Sequence, residues 1–330
     1  MITELGQFNV NFEGATARRI FLDPIFKDVQ PFEADIYQVM PNVVSRKNMV
    51  FVGPLDNYLR KRIGCGFDPT GSLNVSERQV EVELVKGETQ QCWDEFKDTI
   101  LMEALNKGVD MGNMEGTLMQ DIILTRMQQG ASRQINLLAW FGDKSSVNPE
   151  QNICDGMWTK YIPELQANNL IRVLGSNSGT PLGAGGAIDL LDAVLDSAKD
   201  ELKALPVGDR RLIVSNNVAE QLEKDIRNGV SGDSAFIREV ENGRMTMLFR
   251  GVQVVPMLRW QGLYEQYVGV ADANLVLYTA RQNLILATDR ISDSTTIDGW
   301  FEKKEEAMYF RTAFKLGFNY IHPNLMVAAK

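Results

Sequence analysis

The sequence predicts an α+β protein in which an extended N-terminal region and a protruding β-hairpin are attached to a body of one long helix, an α/β lobe and an antiparallel sheet. Three observations predict this class: a turn-rich stretch between two strand-like runs, an uninterrupted amphipathic helical pattern, and a long alternating strand near the C-terminus. The composition is ordinary for a globular chain, with 44% hydrophobic and 23% charged residues among 330. A chain of this length can bury a large core.

The first part of the chain lacks the periodicity of packed elements. Residues 1–42 contain short apolar pieces between prolines and charged residues, which predicts an extended arm. Two strand-like runs follow, Met49–Val52 and Val80–Leu84. The stretch between them is longer than an ordinary connection within a compact domain, so we expect a protruding hairpin loop. Its turn residues are Gly64, Gly66, Pro69 and Gly71.

Two helices are predicted next. The first begins at Glu88 and ends near Gly108, and the second, longer one covers 117–141. In the longer helix apolar residues recur at steps of three and four, which predicts one buried stripe. It contains no proline, so it should extend roughly 40 Å at a rise of 1.5 Å per residue. Gly130 is its one weak position.

The α/β lobe is predicted from alternating helical and strand patterns after a loop-rich section, 143–186, that contains a short strand over 170–174. Asn216 is a plausible N-cap for a helix that closes at Gly229. The other predicted elements are a helix through Leu191, Val194, Leu195, Ala198 and Leu202, strands over 211–214, 247–255 and 266–270, and a hairpin pair of strands over 275–278 and 284–287.

The clearest pattern is a strand near the C-terminus that alternates with period 2. We expect one face to be buried along the long helix and the other to be wet. The predicted buried face contains Met308, Phe310, Thr312, Phe314, Leu316, Phe318 and Tyr320, and the predicted wet face contains Arg311, Ala313, Lys315, Gly317 and Asn319.

Sites for metals and cofactors are not indicated. The cysteines Cys65, Cys92 and Cys154 form no CxxC pair and are expected to be unpaired thiols, and the single histidine, His322, is expected to be structural. The glycines over 175–186 match neither a dinucleotide-binding nor a phosphate-binding motif, so we expect a mobile loop there and no cofactor. The tryptophans are scattered, which favours core or interface positions over a base-stacking surface.

Charge and hydropathy limit the partners. A net charge of −9 opposes binding to nucleic acid through phosphates, although a shell that stores DNA needs an inner wall to which DNA does not adhere. No stretch is apolar enough to span a membrane, and the first residues lack the pattern of a signal peptide. We therefore expect a protein made in the cytosol, with no membrane partner.

The order of arm, long hairpin, long helix, α/β lobe and C-terminal strands resembles the major capsid proteins of tailed bacteriophages, whose fold is shared by herpesvirus capsid floors and encapsulins. The stretches Val254–Met257 and Gly269–Tyr278 are similar to the usual close of such chains. The resemblance implies five parts. They are the N-terminal arm (1–42), the E-loop (43–85), the P domain with its spine helix (86–143), the A domain (144–270) and C-terminal strands that complete the P domain and sheet (271–330).

The resemblance implies a subunit that catalyses nothing and assembles into pentamers and hexamers of an icosahedral head around double-stranded DNA. Scaffolding protein, supplied as a separate chain, portal protein and cement proteins are the implied partners, and the virion is the implied location. Some members cross-link a Lys to an Asn between subunits, and neither residue can be placed here. Two alternatives stay open: an encapsulin-type nanocompartment shell, which has the same fold, and a cytosolic α/β enzyme.

The candidate inter-subunit contacts are three adjacent cations, Arg60, Lys61 and Arg62, in the middle of the predicted hairpin loop. In an acidic chain, a protruding basic loop can be held against carboxylates of a neighbouring subunit. The alternative is an ordinary solvated surface.

Overall fold

The computed structural model describes residues 9–13, 36–52, 61, 75–92, 118–176, 178–228, 236–241, 244–289, 296–302, 304–305 and 307–330. The strands are β1 (Asn9–Glu13), β2 (Tyr37–Met40), β3 (Arg46–Val52), β4 (Val75–Glu81), β5 (Glu83–Cys92), β6 (Arg172–Leu174), β7 (Arg210–Ser215), β8 (Phe236–Glu241), β9 (Arg244–Phe249), β10 (Val252–Met257), β11 (Val276–Ala280), β12 (Leu284–Thr288), β13 (Thr296–Glu302), β14 (Ala307–Tyr320) and β15 (Met326–Ala329). The helices are α1 (Leu118–Phe141), α2 (Ile162–Ala167), α3 (Gly186–Asp196), α4 (Asp200–Lys203), α5 (Asn216–Arg227) and α6 (Trp260–Val268), and a π-helical turn covers Met157–Tyr161.

The first sheet is built around β14. Its strand order is β1–β13–β14–β12–β2, and β5 pairs with β14 as well. Both β13 and β5 pair with the first half of β14, so they lie on opposite edges of it. Both β12 and β5 pair with Leu316, so β12 continues the edge that β13 occupies. Thus β14 is paired along its whole length.

The second sheet has the strand order β6–β15–β11–β7–β10–β9–β8, with β7 and β10 parallel. Successive side chains along its central strands point into two different cores, because neighbouring residues of a strand face opposite sides of the sheet. On β7, Leu212 and Val214 face α3 and α5, whereas Ile213 faces the core that contains α1. The central strands of this sheet are therefore covered on both sides.

The two sheets share one core. The C-terminal half of α1, including Ile135 and Leu138, packs with Phe314 and Leu316 of β14 and with Ile213 of the second sheet. The prediction that the alternating C-terminal strand lies along the long helix is confirmed. The long helix itself begins one residue later than predicted and ends at the predicted residue, Phe141.

Three predicted elements have a different structure. Residues 266–270 were expected to be a strand, but α6 runs to Val268 because Trp260 and Tyr264, one helical turn apart, are both buried, and Gly269 ends the helix at φ +82°. The predicted helix from Glu88 is wrong at its start, because β5 continues to Cys92 through its pairing with β14. The remainder of that prediction, 93–108, lies outside the described residues.

The predicted hairpin pair after residue 274 is also wrong. β11 lies between β15 and β7 in the second sheet, and β12 lies between β14 and β2 in the first. The chain crosses from one sheet to the other at 281–283, where Gln282 adopts φ +61°. Each strand therefore satisfies its backbone with strands far away in sequence.

Two further patterns are interrupted by turns. The predicted helix through Leu191 and Leu202 is divided into α3 and α4, and Ser197 ends the first part. The predicted strand over 247–255 is two strands joined by Arg250 and Gly251, whose φ values of +49° and +81° make a tight hairpin turn. Arg250 is held in place by ion pairs with Asp192 (3.0 Å) and Asp196 (3.4 Å) of α3.

Parts of the predicted arm are strands of the subunit's own sheet. β1 pairs antiparallel with β13, and β2 pairs parallel with β12. The limits of the predicted domains do not coincide with the limits of the two sheets. β5 spans the limit at 85/86, and β11 and β15, within 271–330, belong to the second sheet.

Candidate assembly surfaces

The first candidate surface is the hairpin of β3 and β4, which pair in register from Arg46 opposite Glu81 to Val52 opposite Val75. Its base is attached by a small apolar cluster in which Val43, Met49, Val80 and Val82 pack against Ile285 and Ala287 of β12. The neighbouring residues of β12, Leu284 and Leu286, face the main core instead. β12 therefore packs against the main core with one face and against the base of the hairpin with the other.

The hairpin base is also fixed to the end of β14. The side-chain amide of Asn319 donates to the carbonyl of Gln79 (2.8 Å), and the Arg78 guanidinium lies 3.7 Å from the centroid of the Tyr320 ring. Burial lowers the pKa of Arg78, against the opposing effects of Tyr161 and Glu164.

Close packing at the same place requires a glycine. A Cβ on Gly317 would collide with the carbonyl oxygen of Glu81. Gly317 and Asn319 are buried, so the prediction that they lie on a wet face is wrong. The hairpin base covers the C-terminal end of β14, whereas Arg311, nearer the N-terminal end of this strand, is exposed as predicted.

A chain of charges lies where the hairpin joins the sheet. Glu81 pairs with Arg46 (3.0 Å), and Lys144, just beyond α1, reaches Glu83 (2.9 Å) and Glu81 (3.6 Å). Burial would lower the pKa of Lys144, but the hydrogen bond and charge of Glu83, aided by Glu81 and Asp155, raise it. These side chains are about one-third to two-thirds exposed, so they set orientation more than they stabilise the fold.

The predicted contact residues fall between β3 and β4 in the sequence. Lys61 is exposed. Arg60 and Arg62 lie outside the described residues. The role of the three cations as inter-subunit contacts stays a prediction.

The second candidate surface is a groove of about 410 Å³ between α1 and the paired strands β5 and β14. Its walls are mainly apolar, and Lys86, Glu88 and Glu150 stand at its rim. Gly130, the predicted weak position of the helix, lines the groove and has open space where a Cβ would be. No sequence pattern indicates this groove, since it forms between elements that are distant in the chain. Its apolar lining residues are Val85, Met127, Ala131, Ile135, Leu138, Ile153, Phe314 and Leu316.

The glycine-rich loop is held by hydrogen bonds. The backbone N–H of Gly185 donates to the buried carboxylate of Asp225 (2.9 Å), and Gln221 donates to the same oxygen (2.8 Å) and to the carbonyl of Gly183 (3.2 Å). Further along, Asn274 donates to the carbonyl of Ser176 (3.0 Å). These contacts use the polar groups of the loop to fix it on the second sheet.

In the part of the chain that the structure describes, no group of three or more His, Cys, Asp or Glu residues is arranged to hold a metal ion. Cys154 is a buried free thiol, and burial raises its pKa. Among the described helices, none is long and apolar enough to cross a membrane.

Comparison with solved structures identifies the fold. The chain is similar to a chain of the satellite phage P4 procapsid solved with its size-determination (Sid) protein, with TM-score 0.61, 14% identity, and coverage of 97% of this chain and 91% of that one. It is also similar to the capsid of Myoviridae phage XM1 (TM-score 0.55, 12% identity, 100% and 96% covered). The SrpI encapsulin of Synechococcus elongatus PCC 7942 gives TM-score 0.53 at 8% identity, with 92% and 88% covered.

The chain therefore has the capsid fold that phage heads and encapsulins share, as the order of its elements predicted. No protein-family model and no curated protein matches the chain. At these identities the likeness is one of backbone architecture, covering nearly the whole of each chain.

Paired glycine substitutions test the packing of the hairpin base. Gly317→Ala should push β4 away from β14 and destabilise the subunit, because the added methyl meets a backbone oxygen that cannot yield without moving the strand. Gly130→Ala is the matched control, and should stabilise α1 by up to about 1 kcal/mol because it has open space and alanine favours helix. Chemical denaturation of both variants gives the two free energies of unfolding. Equal stability of Gly317→Ala and the parent protein would contradict the packing described.

Proposed function

We propose that this chain is the major capsid protein of a tailed bacteriophage, which assembles into an icosahedral head around double-stranded DNA and has no catalytic role. The observation that carries the proposal is the likeness to capsid chains over nearly all of this chain and of theirs. In this proposal the β3–β4 hairpin corresponds to the E-loop, α1 to the spine helix, and the second sheet with α3 and α5 to the A domain.

The mechanism is assembly by surface complementarity. The body is a block with two sheets and one shared core, and the hairpin is fixed to one end of it. Blocks packed edge to edge form pentamers and hexamers, and hairpins that reach a neighbour add interface area. A separate scaffolding protein, a portal and cement proteins are the proposed partners, and the virion is the proposed location.

An encapsulin-type shell is the second candidate, because the SrpI encapsulin shares the fold at a similar TM-score. The two differ in what the shell encloses. Phage heads hold DNA, whereas an encapsulin-type shell would be a small closed particle that holds a protein cargo.

Expression of the chain with sedimentation and negative-stain electron microscopy tests the proposal. Capsomers, shells or irregular shell fragments are expected, since the separate scaffolding protein would be missing. Particle diameter and co-purifying protein then distinguish a phage head precursor from a small loaded compartment. If the chain forms only a monomer or a small uniform oligomer at every concentration, without any particle, both proposed shell functions are contradicted.

The basic run of the hairpin is proposed to contact carboxylates of a neighbouring subunit. Residues 43–62 contain five Lys or Arg and one Asp, in a chain of net charge −9, so this arm of the hairpin carries charge opposite to the average surface. Charge complementarity of this kind sets register and excludes wrong partners.

Charge reversal tests that contact. Arg60→Glu combined with Arg62→Glu should leave the circular dichroism spectrum and Tm of the unassembled subunit unchanged, since exposed substitutions rarely change stability by more than about 0.5 kcal/mol. Shell formation, measured by sedimentation, should fail or give aberrant particles. The matched control reverses two exposed cations of the body, Lys224→Glu with Arg259→Glu. Normal particles from the hairpin variant would return the run to an ordinary solvated surface.

A further inference from the structure

A partly exposed aromatic pair lies on the face of the first sheet that points away from α1. Trp300 of β13 and Tyr309 of β14 are direct cross-strand partners, and their rings stack with centroids 5.5 Å apart and planes 10° apart. Trp300 is 36% exposed, whereas Trp140, Trp158 and Trp260 are at most 2% exposed. A large indole on a mostly polar sheet face is costly to leave in water.

The pair is held in place before any partner arrives. In the register of the sheet, Trp300 is also paired with Asn9 of β1, and Tyr309 is also paired with Gln90 of β5. Each aromatic residue therefore has a paired strand on both sides, so both lie in interior strands of the sheet. The hydroxyl of Tyr309 donates a hydrogen bond to the carboxylate of Glu305. A preformed surface loses little conformational entropy when it is covered.

The charges beside the pair are of both signs. Arg311, two residues from Tyr309 and on the same face, lies between Glu88 of β5 and Asp298 of β13, with 3.8 Å between its Nε and Glu88 Oε1. Lys86 also pairs with Glu88 (3.0 Å). This balance lacks the surplus of cations that a nucleic acid or an anionic membrane would require. It suits a protein surface of mixed charge.

A second copy of the same sheet face is a protein surface of this kind, because it carries charges of both signs. In a contact about a twofold axis the same residues face each other from both sides, so the cation of one copy can lie against the carboxylates of the other. Trp, Tyr and Arg are the residue types most enriched where binding energy concentrates.

We propose that the outer-face patch, defined as Trp300, Tyr309, Arg311 and Glu88, is a contact between two copies of this chain, with Trp300 at its energetic centre. The proposal deepens the shell function and rests on it only in requiring that the chain associates with itself. The patch is separate from the hairpin, and of its four residues it shares only Glu88 with the lining of the groove beside α1.

Sedimentation velocity over a concentration series tests this patch with the full-length chain. Trp300→Ala should weaken association about tenfold or more, as expected for the centre of an interface. Leu258→Ala is the control: it removes an apolar side chain that is 66% exposed elsewhere on the body, and should associate like the parent protein.

A charge exchange keeps the test informative if Trp300→Ala does not fold. Arg311→Glu alone should weaken association, and adding Glu88→Arg should restore it, because a patch that meets its own copy regains complementarity when both signs are exchanged. Equal association of Trp300→Ala and Leu258→Ala, or no rescue by the exchange, would overturn the proposal. So would binding of DNA or anionic vesicles that depends on Trp300 while self-association does not. A parent protein that never associates would instead refute the shell function itself.

Discussion

The structure depends on an aromatic cluster at the C-terminal end of α1. Trp140 of this helix packs edge-to-face on Trp260 of α6 with ring centroids 4.6 Å apart, and Trp260 packs on Trp158 of the π-helical turn at 5.4 Å. Tyr37 of β2 contacts Trp140 at 5.7 Å and Phe318 of β14 at 6.3 Å. Because these rings come from both sides of the body, they join the long helix, the first sheet and the elements that cover the second sheet into one core.

The proposed shell function requires this combination of a stiff body and projecting parts. Burial of the central strands of the second sheet on both sides, and of the α1-facing residues of β14 in the first, leaves little freedom for the sheets to move separately. The hairpin is attached on the other face of β12, where a small cluster, Gly317 and the Arg78–Tyr320 contact fix its base. In the proposed shell, this body would present the groove and the outer-face patch to neighbouring copies at fixed angles.

Sequence periodicity predicted the elements whose burial is regular along the chain. α1 and the first part of β14 were predicted because apolar residues recur with the period of each element, and the predicted face is buried in the C-terminal half of α1 and along β14. The pattern failed where distant segments decide burial: Gly317 and Asn319 are covered by the hairpin base, and β11 and β12 separate into different sheets. The aromatic pair and the groove were missed for the same reason, since cross-strand and helix–sheet neighbours are not adjacent in sequence. The three cations of the hairpin were visible only as a local run of charge.

The central claim is that the two sheets share one core and form a single cooperative body. Hydrogen–deuterium exchange followed by mass spectrometry, over a urea series, measures the stability of each sheet separately. Peptides from β7 and β11 of the second sheet and from β12 and β14 of the first should lose protection together, at one denaturant midpoint with one free energy of opening. Loss of protection in one sheet at a clearly lower urea concentration, while the other stays protected, would contradict the shared core.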